Sequence, residues 1–166
     1  DETSAIPAKT PRCYNPSKIG RLKARTAQRK RDAYMQITPT GGALGADVTE
    51  LDLREPPSPD TQAKLRNAFC AHALLRIRNQ QLTRDELVRF SGTFGEPVVH
   101  PTNRRDRDPQ NPLITIISNI EEHGNPLGAL GNADLNFHAD LVFLHTPGSV
   151  SILYCVECPA TGGDTY

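Results

Sequence analysis

Apolar residues recur along the chain at two spacings, and each spacing predicts a different element. In the first half, two runs return an apolar side chain every three or four residues, which is typical of helices with one buried face. Ser58 before Pro59 predicts the start of the first helix, because serine caps helices and proline suits their first position. Thr83 and Glu86 form a capping-box pattern for the second helix, which Gly95 is expected to end.

Short apolar stretches between turn-forming residues predict strands. The predicted strands are 37–39, a second one that ends at 48, 74–78, 113–117, 141–144 and 150–156. The stretch 113–117 is expected to be buried, whereas the Gly- and Asn-rich residues 119–136 predict a long mobile loop, typical of an active-site lid. Helices early and strands later favour a mainly β fold with flanking helices (α+β), not an alternating βαβ fold.

Charge divides the chain into two parts. The 166 residues carry zero formal net charge, but residues 1–34 hold nine Lys or Arg against three acidic residues. This basic arm therefore carries +6, and residues 35–166, which have the length of one domain, carry −6. Because the arm has few large apolar residues, we expect a solvated, partly disordered tail. A polyanion-binding or oligomer-bracing arm is the main alternative, and a transit peptide is another.

Composition also bears on the class of protein. No apolar run approaches the ~20 residues of a transmembrane helix, so no membrane association is expected. Four cysteines are too few for a disulfide-stapled secreted scaffold, and we interpret them as reduced thiols of a cytoplasmic protein. Cys155 and Cys158 have CxxC spacing, but on a strand they would point to opposite faces, which is poor geometry for a shared metal.

The motif His138-Ala139-Asp140 is the main candidate for chemistry. On a strand, residues two apart face the same side, so the imidazole and the carboxylate would project together. They are two of the three ligands of the facial triad that holds non-haem Fe(II). Taken alone, such a pair is more often an exposed pair or a satisfied hydrogen bond. The glycines at 162 and 163 permit a tight turn that could bring the Thr165 hydroxyl near the metal, or that could be a hairpin without function.

Several motifs together resemble the TauD/TfdA family of Fe(II)/2-oxoglutarate-dependent dioxygenases, in order and without large gaps from residue 37 to 166. The matching pieces are Ile37-Thr38-Pro39, Gly45-Ala46, 74–78, Phe94-Gly95-Glu96, His100-Pro101, His138-Ala139-Asp140 and 159–165. The resemblance implies a double-stranded β-helix, or jelly roll, with helices outside, incomplete in this chain. It also implies Fe(II) as the metal, 2-oxoglutarate as the cosubstrate, and O2.

The resemblance assigns roles residue by residue. His138 and Asp140 are similar to the first two iron ligands, and Thr165 to the residue that hydrogen-bonds a carboxylate of 2-oxoglutarate. The third ligand, a distal His, and the Arg that binds the far carboxylate of 2-oxoglutarate are expected beyond Tyr166. Without them, the chain is expected to be the N-terminal part of the domain and to bind Fe(II) and cosubstrate poorly.

The substrate side of the resemblance is less uniform. His100 matches a histidine that contacts the sulfonate of taurine, and Phe143 matches an aromatic residue of the substrate pocket. Asp134 replaces a substrate-contacting Asn, Asn103 replaces a Tyr, and Phe137 replaces a Trp before the first ligand. A carboxylate at 134 would repel a sulfonate, which puts taurine itself in doubt. The substrate class implied is therefore a small organic anion, either a sulfonate or a carboxylate.

Two classes of function stay open on the sequence. The first is a dioxygenase that couples decarboxylation of 2-oxoglutarate to hydroxylation of the small anion. The second is a catalytically inactive, family-like scaffold or fragment that binds a partner through the basic arm. Only Tyr14 and Tyr34 accompany the basic residues of the arm, so nucleic acid is an unlikely partner. A homo-oligomer is a further expectation.

Overall fold

The computed structural model describes residues 34–101, 106–130, 136–158 and 160–162. The predicted basic arm lies outside the described residues except for Tyr34. In chain order the elements are β1 (Gln36–Pro39), β2 (Ala46–Thr49), α1 (Pro59–His72), β3 (Leu75–Ile77), α2 (Arg84–Ser91), β4 (Ile117–Ser118), β5 (Glu121–Glu122), β6 (Asn125–Pro126) and β7 (Ala129–Leu130).

The first three strands form one mixed sheet in the order β1-β2-β3. β1 and β2 are antiparallel, with Ile37 opposite Val48, whereas β2 and β3 are parallel, with Ala46 opposite Leu75. The parallel pair requires a crossover, and α1 provides it. The three predicted strands are confirmed, but one β-α-β connection interrupts the expected separation of helices from strands.

A glycine turn brings β2 into line with the end of α1. Gly45 has a φ of +98°, a value that favours glycine, and its amide donates to the carbonyl of His72 at 2.8 Å. Asp47 of β2 lies opposite Arg76 of β3. The Arg76 guanidinium donates to both carboxylate oxygens of Asp47, at 2.6 and 2.8 Å. The hydrogen bonds from Arg76 lower the pKa of Asp47, so this exposed cross-strand pair stays ionised at neutral pH.

Both predicted helix starts are confirmed. The Ser58 side chain accepts from the amide of Thr61, and Thr83 and Glu86 bind each other's amides as a capping box. The predicted end of α2 at Gly95 is wrong, because the helix ends at Ser91. From there to residue 94, amides donate to carbonyls three residues back, a tighter turn that brings Phe94 edge-on against the ring of Phe90.

The core lies between the sheet and the two helices. Its buried members are Val48, Leu51, Leu53, Leu65 and Phe90. The side chains packed around them are Met35, Ile37, Leu75, Ile77, Leu82, Phe94 and Ile152. All but one of these residues come from the first hundred positions, so this part of the chain has a core of its own.

The expected buried strand at 113–117 is wrong. Only Ile117 enters a strand, β4, and both Leu113 and Ile117 are exposed. Within 106–116 the amide of Asp108 donates to the Ile114 carbonyl and that of Ile116 to the Asp106 carbonyl, so the segment folds back on itself as a tight loop. The residues from 113 to 116 therefore belong to this loop and not to a named strand.

The predicted mobile loop at 119–136 contains regular structure. β5 and β6 form an antiparallel hairpin around His123 and Gly124, both of which have positive φ. β7 then pairs in parallel with β4, and Gly128 passes so close to Ile116 that an added Cβ would lie 2.6 Å from its carbonyl oxygen. The assignment of a structureless lid is therefore wrong for residues 121–130, while residues 131–135 lie outside the described part.

The last two predicted strands differ from expectation in different ways. Residues 141–144 form a turn, because Leu141 has a φ of +53° and its carbonyl accepts from the Leu144 amide at 3.1 Å. Residues 151–155 alternate between exposed and half-buried, as expected of a strand, but within the described ranges they belong to no strand and no strand pairs with them. The described elements, short sheets and two helices, fit the α+β class, while the mainly β character and the jelly roll stay predictions.

Candidate metal centre

The two predicted iron ligands lie side by side. His138 Nε2 and Asp140 Oδ1 are 3.4 Å apart, and both side chains are about half exposed, at 56% and 51%. The expected strand at this point is wrong, since the left-handed backbone of Leu141 turns the chain immediately after Asp140. The spacing of two residues nevertheless brings the imidazole and the carboxylate to one point.

A backbone contact selects the tautomer of His138. Its Nδ1 lies 2.9 Å from the carbonyl oxygen of Asn136, which can only accept a hydrogen bond. Nδ1 therefore carries a proton, and in the neutral imidazole that a metal requires, Nε2 would present its lone pair towards Asp140. A neutral imidazole nitrogen beside a carboxylate oxygen suits Fe(II), and two ligands at ~2.1 Å in adjacent octahedral positions lie about 3 Å apart. The two residues therefore fit the metal that the sequence predicts.

The carboxylate of Asp140 has a second partner that the sequence did not reveal. The hydroxyl of Ser151 donates to Asp140 Oδ2 at 2.6 Å, across a loop of ten residues. Nothing in the spacing of a single serine marks such a contact, because its position depends on how the loop 141–150 closes. One carboxylate oxygen is thus held by the protein, and the other faces His138.

The two residues predicted on the substrate side also meet. The ring centroids of His100 and Phe143 are 6.5 Å apart in an edge-on arrangement. Phe143 follows Asp140 by three residues, so its Cα lies at most about 11 Å from that of Asp140. The chain thus keeps Phe143 within this distance of the candidate ligand Asp140, while the role of the aromatic contact in a substrate pocket stays a prediction.

Arg107 contacts the backbone of His100. Its guanidinium Nη2 donates to the backbone carbonyl of His100, and its Nε is buried and makes no hydrogen bond within the described ranges. Its contact could not be foreseen, since it depends on the fold of the 106–116 loop.

A buried carboxylate holds that loop to α2. Asp108 is 4% exposed and accepts from Arg84 Nε at 2.6 Å and from the amides of Gln110 and Asn111 at 2.8 and 3.0 Å. The hydrogen bond from Arg84, followed by those from the two amides, lowers the pKa of Asp108. The loop that carries Arg107 is therefore tied to the helical body through an ionised carboxylate.

The remaining predicted site residues are not all placed. Thr165, Asp134 and Asn103 lie outside the described residues. Within the ranges that are described, no group of three His, Cys, Asp or Glu side chains could hold a metal ion. His138 and Asp140 therefore form a pair to which a third ligand remains to be assigned.

Of the three remaining histidines, one ends a helix and two are exposed. His72 is the last residue of α1, and its backbone carbonyl accepts from the Gly45 amide. His123 and His145 are exposed, as are Cys155 and Cys158, which carry thiols. In the described part of the chain, neither helix has both the length and the apolar character needed to cross a bilayer.

Comparison with known proteins identifies similar sequences over the same region. The family model described as "Taurine catabolism dioxygenase TauD, TfdA family" matches residues 36–166. An alkylsulfatase of Acinetobacter baylyi is 30% identical over 79% of this chain and 38% of its own length. An alpha-ketoglutarate-dependent sulfate ester dioxygenase of Pseudomonas putida is 26% identical over 79% of this chain and 40% of its own.

A third relative and one solved structure complete the comparison. An (S)-phenoxypropionate/alpha-ketoglutarate-dioxygenase of Delftia acidovorans is 28% identical over 79% of this chain and 45% of its own length. The crystal structure of a taurine dioxygenase from Burkholderia xenovorans shares 33% identity, with a TM-score of 0.39 over 42% of this chain and 25% of that one. The chain thus spans less than half the length of each of these relatives.

Proposed function

The chain belongs to the TauD/TfdA family, and from that premise we propose that the full-length protein is an Fe(II)- and 2-oxoglutarate-dependent dioxygenase. We propose that it hydroxylates a small organic anion. The observation that carries the proposal is the juxtaposition of His138 Nε2 and Asp140 Oδ1 at 3.4 Å, with Nδ1 of the same histidine committed to a backbone carbonyl.

The residues of this chain would hold and orient the reactants. When bound, Fe(II) supplies open coordination positions at which O2 and 2-oxoglutarate react and a C–H bond of the substrate is hydroxylated. His138 contributes a neutral nitrogen and Asp140 a negative oxygen, so the pair carries one negative charge towards the cation. Thr165 is proposed to donate its hydroxyl to a carboxylate of 2-oxoglutarate, and the missing third ligand and the Arg are proposed to lie beyond residue 166.

The substrate is proposed to be an organic sulfate ester, sulfonate or carboxylate with an apolar portion. Two relatives support this choice, since their names specify a sulfate ester and phenoxypropionate, both of which combine an anionic head with an organic group. The contact between His100 and Phe143 offers a donor and an aromatic face side by side, which suits such a molecule. Asp134 is proposed to border the same pocket, where its charge would disfavour the small sulfonate taurine.

We further propose that the described sheet and helices belong to a jelly roll completed by the rest of the protein. This arrangement would supply strand partners for residues 151–155, whose side chains alternate between exposed and half-buried. The cytoplasmic location, the homo-oligomer and the role of the basic arm stay predictions.

The test is turnover by the full-length protein and two single variants. Purified protein would be incubated with Fe(II), 2-oxoglutarate and, in separate reactions, hexyl sulfate, (S)-2-phenoxypropionate or taurine, and succinate would be measured. We expect the wild type to release succinate with at least one of the anions. His138→Ala and Asp140→Ala should each lose this release, because either change removes a metal ligand.

The matched control is His145→Ala, which removes an exposed histidine from the same segment and should leave succinate release unchanged. Retained turnover in His138→Ala, or equal losses in His145→Ala, would contradict the assignment of the metal centre. Absence of Fe(II)-dependent turnover with every substrate would favour the inactive scaffold instead.

A further inference from the structure

We propose that Ser151 is a positioning residue of the metal centre, which holds Asp140 so that a single carboxylate oxygen faces the metal. The inference rests on the proposed function and adds to it a residue outside the set of direct ligands. It starts from two distances on one side chain. Ser151 Oγ lies 2.6 Å from Asp140 Oδ2, whereas Asp140 Oδ1 lies 3.4 Å from His138 Nε2.

The direction of the hydrogen bond follows from the chemistry of the two groups. An ionised carboxylate can only accept, so the serine hydroxyl must donate its proton to Oδ2. A bond of this kind to a charged acceptor is among the stronger hydrogen bonds in proteins. With Oδ2 so engaged, Oδ1 is the oxygen left to meet a cation beside Nε2.

The number of carboxylate oxygens on the metal matters for the reaction. A facial triad takes up one face of an octahedral cation and leaves the other positions open. A carboxylate that bound through both oxygens would occupy one of those open positions. By holding Oδ2, Ser151 therefore preserves room for the cosubstrate and for O2.

The chain fixes Ser151 from the side of the core. The next residue, Ile152, packs against the core. The hydroxyl of Tyr154 accepts from the Leu82 amide at 2.9 Å and donates to the Gln80 carbonyl at 3.3 Å. Burial alternates along these residues, so Ser151 is exposed between the packed Ile152 and the loop, and its hydroxyl reaches Asp140. The contacts of residues 152 and 154 therefore fix the position of the Ser151 hydroxyl, and this hydroxyl in turn fixes the orientation of the Asp140 carboxylate.

A simpler role is also conceivable for the same hydrogen bond, namely closure of the loop 141–150. The two roles predict different measurements. Loop closure alone would affect the stability of the metal-free protein and leave metal affinity unchanged. A positioning role would affect metal affinity, because partners behind a metal ligand tune its orientation.

The test is the Fe(II) dissociation constant of the full-length protein, measured anaerobically by calorimetry, together with thermal unfolding of the metal-free form. Ser151→Ala should weaken Fe(II) binding by about 10- to 100-fold. Ser151→Thr keeps the hydroxyl and should stay within about threefold of the wild type. Ser151→Cys keeps a small but weaker donor, and an intermediate affinity is expected.

The matched control is Ser149→Ala, an exposed serine of the same loop, which should stay within about threefold of the wild type. If Ser151→Ala binds Fe(II) as tightly as the wild type, the positioning role is overturned while the proposed function stands. If the wild type itself binds no Fe(II), the proposed function and this inference both fall.

Discussion

The body of the molecule, residues 34–99, and the segment 136–158 that carries the candidate ligands are held together in different ways. The body buries a cluster of apolar side chains between a sheet and two helices. In the segment, by contrast, Phe137, Leu153 and Val156 are 91%, 81% and 88% exposed. Apart from Ile152, which packs on the core, its side chains are held by a few polar contacts, so the core and the candidate ligands lie in different parts of the chain.

Ile152 and Tyr154 attach the segment to the body. A separate tie, the buried Asp108, attaches the loop 106–116, whose Arg107 contacts the His100 carbonyl, to α2. A polar contact fixes direction as well as distance, which a catalytic site requires. We therefore expect substitutions of the candidate site residues to leave the free energy of unfolding of the body nearly unchanged. Substitutions at the ties to the body should, in contrast, disturb the geometry of the candidate site.

The largest effect on folding is expected in the core. Leu65→Ala removes a fully buried side chain and leaves a cavity, so the free energy of unfolding should fall by about 2–5 kcal/mol. Urea denaturation of the full-length protein measures the change. Lys64→Ala, at the exposed neighbouring position, should change it by no more than about 0.5 kcal/mol. Equal effects at the two positions would argue against this core.

A smaller loss is expected at the buried tie between the loop and α2. Asp108→Ala strands the Arg84 guanidinium and two backbone amides, which should cost about 1–3 kcal/mol in the free energy of unfolding. Asp85→Ala, at an exposed position beside Arg84, is the control. A loss in the control as large as that in Asp108→Ala would show that helix charge, not the buried tie, is responsible.

The difference in the free energy of unfolding between the wild type and Asp108→Ala should depend on pH in a defined direction. Because the folded state lowers the pKa of Asp108, the folded protein binds fewer protons than the unfolded chain at pH values between the folded and the unfolded pKa of this carboxyl. The contribution of Asp108 is therefore complete above the ordinary carboxyl pKa of about 4 and is lost as the pH falls below it. Denaturation curves at pH 7, 5 and 3 should show a constant difference between wild type and Asp108→Ala at the first two values and a smaller one at the third.

Next in size is the tie through Tyr154. Tyr154→Phe removes the hydroxyl that accepts from the Leu82 amide, and a loss of about 0.5–1.5 kcal/mol in the free energy of unfolding is expected. Hydrogen exchange should also become faster at residues 150–156, because their attachment to the body is weakened. Tyr34→Phe, at an exposed tyrosine, should have neither effect. Unchanged exchange at 150–156 would mean that apolar packing of Ile152 alone holds the segment.

The sequence predicted the body well because its signals are local. The caps at Ser58 and Thr83 and the strand-turn-strand around Gly45 depend on neighbours within a few residues, and each is confirmed. The segment was predicted less well. Residues 141–144 have the composition of a strand, yet the left-handed Leu141 makes them a turn, and β-propensity is decided by packing partners more than by the residues themselves.

The candidate site divides in the same way. The pair His138 and Asp140 could be predicted, because a spacing of two residues brings side chains together on almost any extended backbone. Ser151 and Arg107 could not, since a loop closure and a folded-back turn bring them to Asp140 and His100. What the sequence lacks is the path of the chain between distant residues.

The smallest effect on the free energy of unfolding is expected at Phe143, where the effect on substrate binding should be clear. Phe143→Ala changes an exposed side chain, so the free energy of unfolding should move by no more than about 0.5 kcal/mol, and Fe(II) affinity should be unchanged. The edge-on contact with His100 would be lost, and with it an apolar wall, so the apparent KM for hexyl sulfate should rise by about tenfold. Val142→Ala, an exposed neighbour, should alter neither quantity. A destabilisation by Phe143→Ala as large as that by Leu65→Ala would remove the distinction between body and site, because it would make the aromatic contact part of the core.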